Sequence, residues 1–508
     1  MKKNRILALV LAVLMVAAIA AGCANTADPD ATIASTTTAA TTTAATTTEA
    51  TTTEGTTAGT TEGTTTEATT TETEPAGIDL GGYEFVWVKP THNATGRANM
   101  APDNETALGV ELGEIYAEIE DELNCIITID QSMATDLETL LTAAVGGDKY
   151  ADAICTRQSK WIPLAAMGGV RALDGSEMLS AGFDLYNNDV YNQVYTQMTK
   201  INGHVYGFDL SGKFDNVAMG HFYGFNKRIV EAAGYPAKVI YDAVRSGDWT
   251  YEYFLEIAHA CVVDVDGDGL AYPVNQDVWG IALDGDGNEA WTNGTGPIFY
   301  DEATGKYMNN LSDPQFIKAM EFMSKVNGEG DLMYPEAHGS VPQRGERRDI
   351  FYSGHAGFAG LYGGNVNDSG TGTMEDDFGI VPFPKGPDAD GYVINMVDLD
   401  SNIILVSNRD YAKTAVIFNA IGARVTDFEA YKELVLESFR GDEDAVDVLF
   451  NYAFPNAFMN ICKCSDDMHN LVRKKFYSDV YTKNMSVAQA AETYGPQIQA
   501  ELDKVFHQ

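Results

Sequence analysis

Apolar positions along the chain recur with two alternating periods, and their succession predicts most of the architecture. Tyr83 to Val88 is a run of strand formers. Leu112, Ile115, Tyr116, Ile119 and Leu123 then fall on one face of a helix. Cys125 to Ile129 reads as a second strand, Leu137, Leu140 and Leu141 mark a second helix, and Asp152 to Thr156 reads as a third strand. Strand, helix, strand, helix, strand predicts a parallel sheet with right-handed crossovers. Ligands of such sheets bind beyond the carboxyl ends of the strands, here Lys89 to Asn93 and Thr156 to Trp161.

The pattern restarts beyond Tyr206. His221 to Lys227 reads as a strand, Thr250 as the cap of a helix holding Phe254, Leu255, Ala258 and Cys261, and Asp313-Pro314 as the start of another with Phe316, Met320 and Met323 on one face. Phe378 to Phe383 and Asn402 to Val406 are later strands, and Ser486 to Phe506 is helical. The stretch from residue 78 to 508 exceeds a usual single core and carries no second linker. It is expected to be α/β and two-lobed, each lobe a mainly parallel sheet flanked by helices, the two joined by hinge strands. Expected bounds are 78–207 for the first lobe, 208–396 for the second, 397–450 for a return to the first, and 451–508 for closing helices of the second.

The N-terminal part breaks this pattern. Lys2, Lys3 and Arg5 precede an apolar run from Ile6 to Ala21, the order of a secretory signal. The run ends in Ala20-Ala21-Gly22-Cys23, which resembles the lipobox of bacterial lipoproteins, with Ala20 where that motif prefers Leu. The resemblance implies that 1–23 is a signal with Cys23 as the lipid anchor, and it places the protein at the extracytoplasmic face of a cell membrane. From Ser35 to Pro75 the chain is mostly Thr, Ala, Gly and Glu in short repeats. It has no large apolar side chain to offset chain entropy, so 24–77 is expected to be a disordered tether of about 180 Å at full stretch.

Charge narrows the partners. The 508 residues hold 33 Lys and Arg against 73 Asp and Glu, a net −40. Nucleic acid and a broad dock onto anionic lipid both need clustered basic residues, and this balance argues against them. Beyond Cys23 there are five cysteines: Cys125, Cys155 and Cys261 in apolar runs, and Cys462 and Cys464 as an isolated C-x-C. An odd number in such settings predicts reduced, structural thiols.

Five segments carry a family resemblance. Ile201-Asn202-Gly203-His204-Val205-Tyr206-Gly207, then Phe222-Tyr223-Gly224-Phe225-Asn226-Lys227 with Glu231-Ala232-Ala233-Gly234, resembles the signature region of family 1 extracellular solute-binding proteins. Ser246-Gly247-Asp248-Trp249-Thr250, Ser353-Gly354-His355-Ala356-Gly357-Phe358 and Gly379 to Pro387 are similar to later elements of that family, in family order. The resemblance implies a two-lobed (Venus-flytrap) protein that binds a sugar or oligosaccharide and delivers it to the permease of an ABC importer. It places the cleft at Thr91, Asn93, Thr156, Arg157 and Trp161 of the first lobe and Asp209 of the crossing segment. Asp286, Trp291 and Tyr362 of the second lobe and Asp398 of the later crossing, with Asp400 beside it, complete the set. Trp249 and Trp279 are expected in the core.

Asp264-Val265-Asp266-Gly267-Asp268-Gly269 has the carboxylate spacing that opens a calcium loop, with the Leu270 carbonyl to follow. Asn275 stands where that loop carries its bidentate Glu, and Asp277 follows two residues on. A structural Ca²⁺ is therefore an expectation, and no other cofactor is. The sequence holds no G-x-S-x-G, H-E-x-x-H or Walker loop, and its eight His are scattered singly. A binding protein rather than an enzyme is expected. A surface carbohydrate-active enzyme, a wall-adhesive lipoprotein, or a peptide- or metal-binding lipoprotein are the alternatives.

Overall fold

The computed structural model describes residues 78–508 apart from 91–99, 215–218, 266, 268–276, 283–286, 329–331, 333–343, 367–369, 397–398 and 482–483. Cys23, the tether, Thr91, Asn93, Asp266, Asp268, Leu270, Asn275, Asp286 and Asp398 lie outside the described residues.

The chain opens with β1 (Tyr83–Val88), α1 (Ala107–Leu123), β2 (Cys125–Asp130), α2 (Leu137–Gly146), β3 (Ala153–Arg157) and α3 (Gln158–Ala166). Local chemistry sets the helix ends. Thr106 accepts the Gly109 N–H at the start of α1, and Asn124 closes it in the left-handed region. Asp136 accepts the Thr139 N–H before α2. Leu112, Tyr116, Ile119 and Leu123 of α1 are buried, as their spacing requires. α4 (Gln193–Met198) leads to the hairpin β4 (Lys200–Ile201) and β5 (His204–Val205). Its turn, Asn202-Gly203, has positive φ at both residues, 49° and 84°, as such two-residue turns demand.

The second series runs β6 (His221–Asn226), α5 (Ala237–Ser246), α6 (Tyr251–Ala260), β7 (Trp279–Ala282), β8 (Ile298–Asp301), β9 (Lys306–Asn309), α7 (Pro314–Gly328), β10 (Ala356–Tyr362), β11 (Phe378–Val381) and β12 (Ile394–Met396). Then follow β13 (Asp400–Ile403), α8 (Tyr411–Val425), α9 (Glu443–Tyr452), β14 (Ala457–Met459) and α10 (Val487–Phe506). Thr250 caps α6, and Ser486 with Gln489 forms a capping box on α10.

Two sheets result. The first has strand order β13-β3-β1-β2, with β1 parallel to both neighbours and β13 antiparallel to β3. The second runs β14-β12-β6-β10-β7, with β11 also on β6. β6 lies antiparallel to β10, β11 and β12, while β10 with β7 and β12 with β14 are parallel. Five of its strands thus share one direction around a reversed central one.

Two expected boundaries move. The first lobe extends past residue 207: Phe208 bridges Asn402, and Phe208, Leu210 and Phe214 sit in the core that holds Phe85, Trp87 and Leu112. The return to that lobe ends with α8, which packs on α1 and buries Phe418 and Ile421 there. α9, expected in the first lobe, belongs to the second. It packs on α5, and Arg245 of α5 pairs with Asp444 and Asp447 of α9. An apolar stripe such as that of Ala445, Val448 and Leu449 fits any core, so periodicity alone does not choose between two. Trp249 and Trp279 are fully buried. The five cysteines beyond Cys23 are unbonded and buried, and burial pushes the thiols of Cys261, Cys462 and Cys464 up.

Candidate functional site

The carboxyl ends of β3, β10, β12 and β14 converge where the chain passes between the lobes. β3 turns directly into α3, so Gln158 stands at the junction, fully buried. Its amide bridges two crossing segments: Nε2 donates to the Asn460 carbonyl at 2.7 Å, and Oε1 accepts the Leu399 N–H at 2.8 Å. Asn460 in turn donates its N–H to the carbonyl of Met396, the last residue of β12, at 2.9 Å. Asn395, also fully buried, donates to the side chain of Asn288 at 3.2 Å and accepts at its carbonyl from the His221 ring at 3.2 Å. Tyr362, opposite His221 in the β6–β10 register, lies with its ring centroid 5.6 Å from the imidazole. Gln158, Asn460, Asn288, Asn395, His221 and Tyr362 therefore form one polar line along the junction.

The expected site residues divide. Tyr362 is 39% exposed and ends β10, with the Arg348 guanidinium 5.4 Å from its ring centroid. Its ring is thus partly exposed to solvent between the His221 imidazole and the Arg348 guanidinium. Arg157 is exposed and stands opposite Asp400 across the β3–β13 pair. Thr156 is buried and donates to the Thr135 carbonyl at 3.0 Å inside the first lobe. Asp209 is buried there too, its carbonyl accepting from Asn192.

One tryptophan corrects the expectation. Trp161 is fully buried and donates from Nε1 to the Leu399 carbonyl at 3.3 Å. The polar run before it is the first turn of α3 rather than a loop, which turns Trp161 inward. Trp291 is half-buried in the 3-10 turn Asn288–Trp291, against Phe458 at 4.7 Å between ring centroids. A Cβ on Gly296 would fall 2.0 Å from the Trp291 ring, so that glycine is what admits the indole. Asp264 accepts the Gly267 N–H at 2.7 Å and Asp277 the Val265 N–H at 2.9 Å, the described part of the expected calcium loop.

Several junction residues escaped sequence reasoning. Lys160 on α3 reaches Asp466 of the second lobe at 2.7 Å and holds that carboxyl below its ordinary range. A slot of about 20 Å³ is lined by Asn288, Asn460, Lys463, His469, Arg473 and Tyr477. A concavity of about 540 Å³ opens between α4 with Lys200 on one side and Tyr307 with Pro455 to Ile461 on the other. For the slot, the sequence signal is the run from Asn460 to Tyr477, where amides, cations and the two aspartates Asp466 and Asp467 lie close together.

No protein-family model and no curated protein sequence matches this chain. Solved structures do. A cyclo/maltodextrin-binding protein complexed with maltotetraose superposes with a TM-score of 0.55 at 13% identity, over 83% of this chain and 97% of the other. The cyclic alpha-maltosyl-1,6-maltose binding protein of Arthrobacter globiformis gives 0.53 at 14% identity, over 84% and 100%. UgpB from Mycobacterium tuberculosis, in complex with glycerophosphocholine, gives 0.52 at 16% identity, over 84% and 99%. At such identities the likeness is one of fold. The chain has the two-lobed α/β fold of these solute-binding proteins, as its strand and helix pattern led one to expect.

Proposed function

We propose that this chain is an extracytoplasmic solute-binding protein that captures a carbohydrate between its lobes and delivers it to an ABC importer. The observation that carries the reading is the partly exposed Tyr362 ring beside the His221 imidazole, with the amide oxygen of Asn395, which has no hydrogen-bond partner among the described residues, in the next strand. An amide oxygen can accept from a sugar hydroxyl, and a partly exposed aromatic ring suits the C–H face of a sugar. These groups bind and orient; they are not a nucleophile with its base. The sugar ligands named for two of the matched structures support the same reading. The apolar run ending at Cys23, with the Thr-rich tether, supports a lipid anchor, and no helix of the described residues is long and apolar enough to cross a membrane.

The test is a thermal-shift screen of the full chain against neutral and charged mono- to tetrasaccharides. A ligand at 100 times its Kd adds about 2.7 kcal/mol of stability, which a melting curve registers. A panel that leaves the curve unmoved sinks the reading, and glycans returned shortened would favour the enzyme alternative. For the anchor, Cys23→Ala should release the protein from the membrane fraction. The Asp264 loop adds a structural Ca²⁺ to the proposal: EDTA should lower the melting temperature, and Asp266→Ala should remove that response.

A further inference from the structure

We infer that Tyr307, with the two glutamines that bracket it, forms a clasp behind the hinge that holds the lobes apart until a ligand draws them together. The inference rests on the reading that the lobes close on a sugar, and it adds what opposes the closing.

The clasp starts at a strand edge. β8 and β9 form a sheet of two, with Tyr300 opposite Tyr307. A ribbon of that size is marginal alone, so what it rests on decides where Tyr307 stands. Two side chains take the place of a third strand. The Tyr307 N–H donates to Gln508 Oε1 at 2.8 Å, and the Tyr307 carbonyl accepts from Gln508 Nε2 at 2.6 Å and from Gln499 Nε2 at 3.1 Å. Gln499 Oε1 accepts the Asn309 N–H at 3.0 Å. The Tyr307 ring is buried and stacks on Phe506 of α10, with centroids 4.1 Å apart. α10 itself packs on α3 of the first lobe.

From this support Tyr307 reaches toward the first lobe. It shares the concavity of about 540 Å³ with Gln197, Met198 and Lys200, and its hydroxyl faces the backbone N–H of Asn202. Asn202 and Gly203 both hold positive φ in the two-residue turn between β4 and β5, which gives that N–H a fixed aim. Each lobe thus supplies one wall of the concavity.

Position in the second sheet gives the clasp its sense. The strand order is β14-β12-β6-β10-β7, and the chain crosses between the lobes after β12 and again at Asn460, after β14. Tyr362 ends β10, whereas the concavity opens at the β14 edge, so the crossings leave between the two. Lobes that turn about such crossings close on one side by parting on the other. Closing over Tyr362 pulls Asn202 away from Tyr307. The clasp lowers ligand affinity by reducing the share of chains in the closed arrangement.

Tyr307→Phe removes the hydroxyl and keeps the ring on Phe506, and Gln508→Ala removes one bracket. Each variant, as the full chain, is compared with the unaltered protein by solution scattering without ligand and by calorimetric titration with linear glucose oligomers of one to four units. Tyr307→Phe is expected to give a smaller ligand-free radius of gyration and to tighten binding about two- to tenfold, the span of one hydrogen bond. Gln508→Ala should shift both in the same direction by less. A bracket that only braces the fold would lower the melting temperature and leave radius and affinity as they were, and that result overturns the inference. Weaker binding or a larger radius in Tyr307→Phe overturns it too. If no oligomer binds any of the three chains, that failure belongs to the carbohydrate reading, and the radius of gyration alone decides the clasp.

Discussion

Tyr362 and Trp161 show how far a single aromatic residue can be read without its neighbours. Both stood beside polar or glycine-rich sequence, yet one is open at the end of β10 and the other fully buried on α3. The difference lies in the backbone that precedes each. β10 runs out at Tyr362, leaving its ring at the sheet's end over His221, whereas β3 passes into helix without a loop and carries Trp161 one turn inward. Tyr362→Ala should weaken sugar binding by about 1–3 kcal/mol, the scale of a lost aromatic face, and calorimetry should find this with the melting of the ligand-free chain nearly unchanged. Trp161→Ala should behave in the opposite sense. Removing a large buried side chain costs about 3–5 kcal/mol, read as an earlier midpoint in urea.

Helix starts were legible at Thr250 and Ser486, where a capping side chain directly precedes the apolar stripe, and not at Thr106 or Asp136, whose caps show only in the structure. Thr106, Asp136, Thr250 and Ser486 all accept the N–H three residues on. Thr106→Ala should cost about 1 kcal/mol of stability, visible in denaturant unfolding and largest in the protection of the first-turn amides of α1. Strand direction was not legible. Phe222, Tyr223, Phe225 and Asn226 of β6 are buried on both faces, so no alternation of polar and apolar residues marks the strand as different from its neighbours. The reversal of β6 appears only in its register with β10 and β11. The lobe of α9 was illegible for a similar reason, since its apolar stripe does not name its partner. What names it is charge, Arg245 against Asp444 and Asp447.

For the whole molecule, the two-lobed architecture was legible and the junction was not. The order of strands and helices, with the family resemblance, was enough to expect two α/β lobes. The polar line was hidden because Gln158, Asn288, Asn395 and Asn460 are scattered over some three hundred residues, and none belongs to a motif. One tie across the junction can be tested directly. Lys160 holds Asp466 below its ordinary range, so the folded carboxyl titrates lower than the unfolded one. Its contribution is present above the unfolded value of about 3.9 and is lost as pH falls through the depressed folded value. The pair is partly exposed, so the effect belongs to lobe opening more than to stability. Lys160→Ala at neutral pH should enlarge the ligand-free radius of gyration in solution scattering, and acidification of the unaltered chain through the depressed folded value should do the same.

The position of β13 beside β3 also sets a schedule. The first sheet needs a strand that begins at Asp400, although its other three strands are complete by Arg157. α8, which covers α1, comes later still. A chain that emerges N-terminus first on the outer side of the membrane therefore passes through an interval in which β3 has an open edge and an uncovered apolar face. An unpaired edge is a template for wrong pairing, so this half-built lobe is the stage at which a chaperone has most to protect. A pause in translocation between β3 and β13 should harm the yield of native protein more than one after α8.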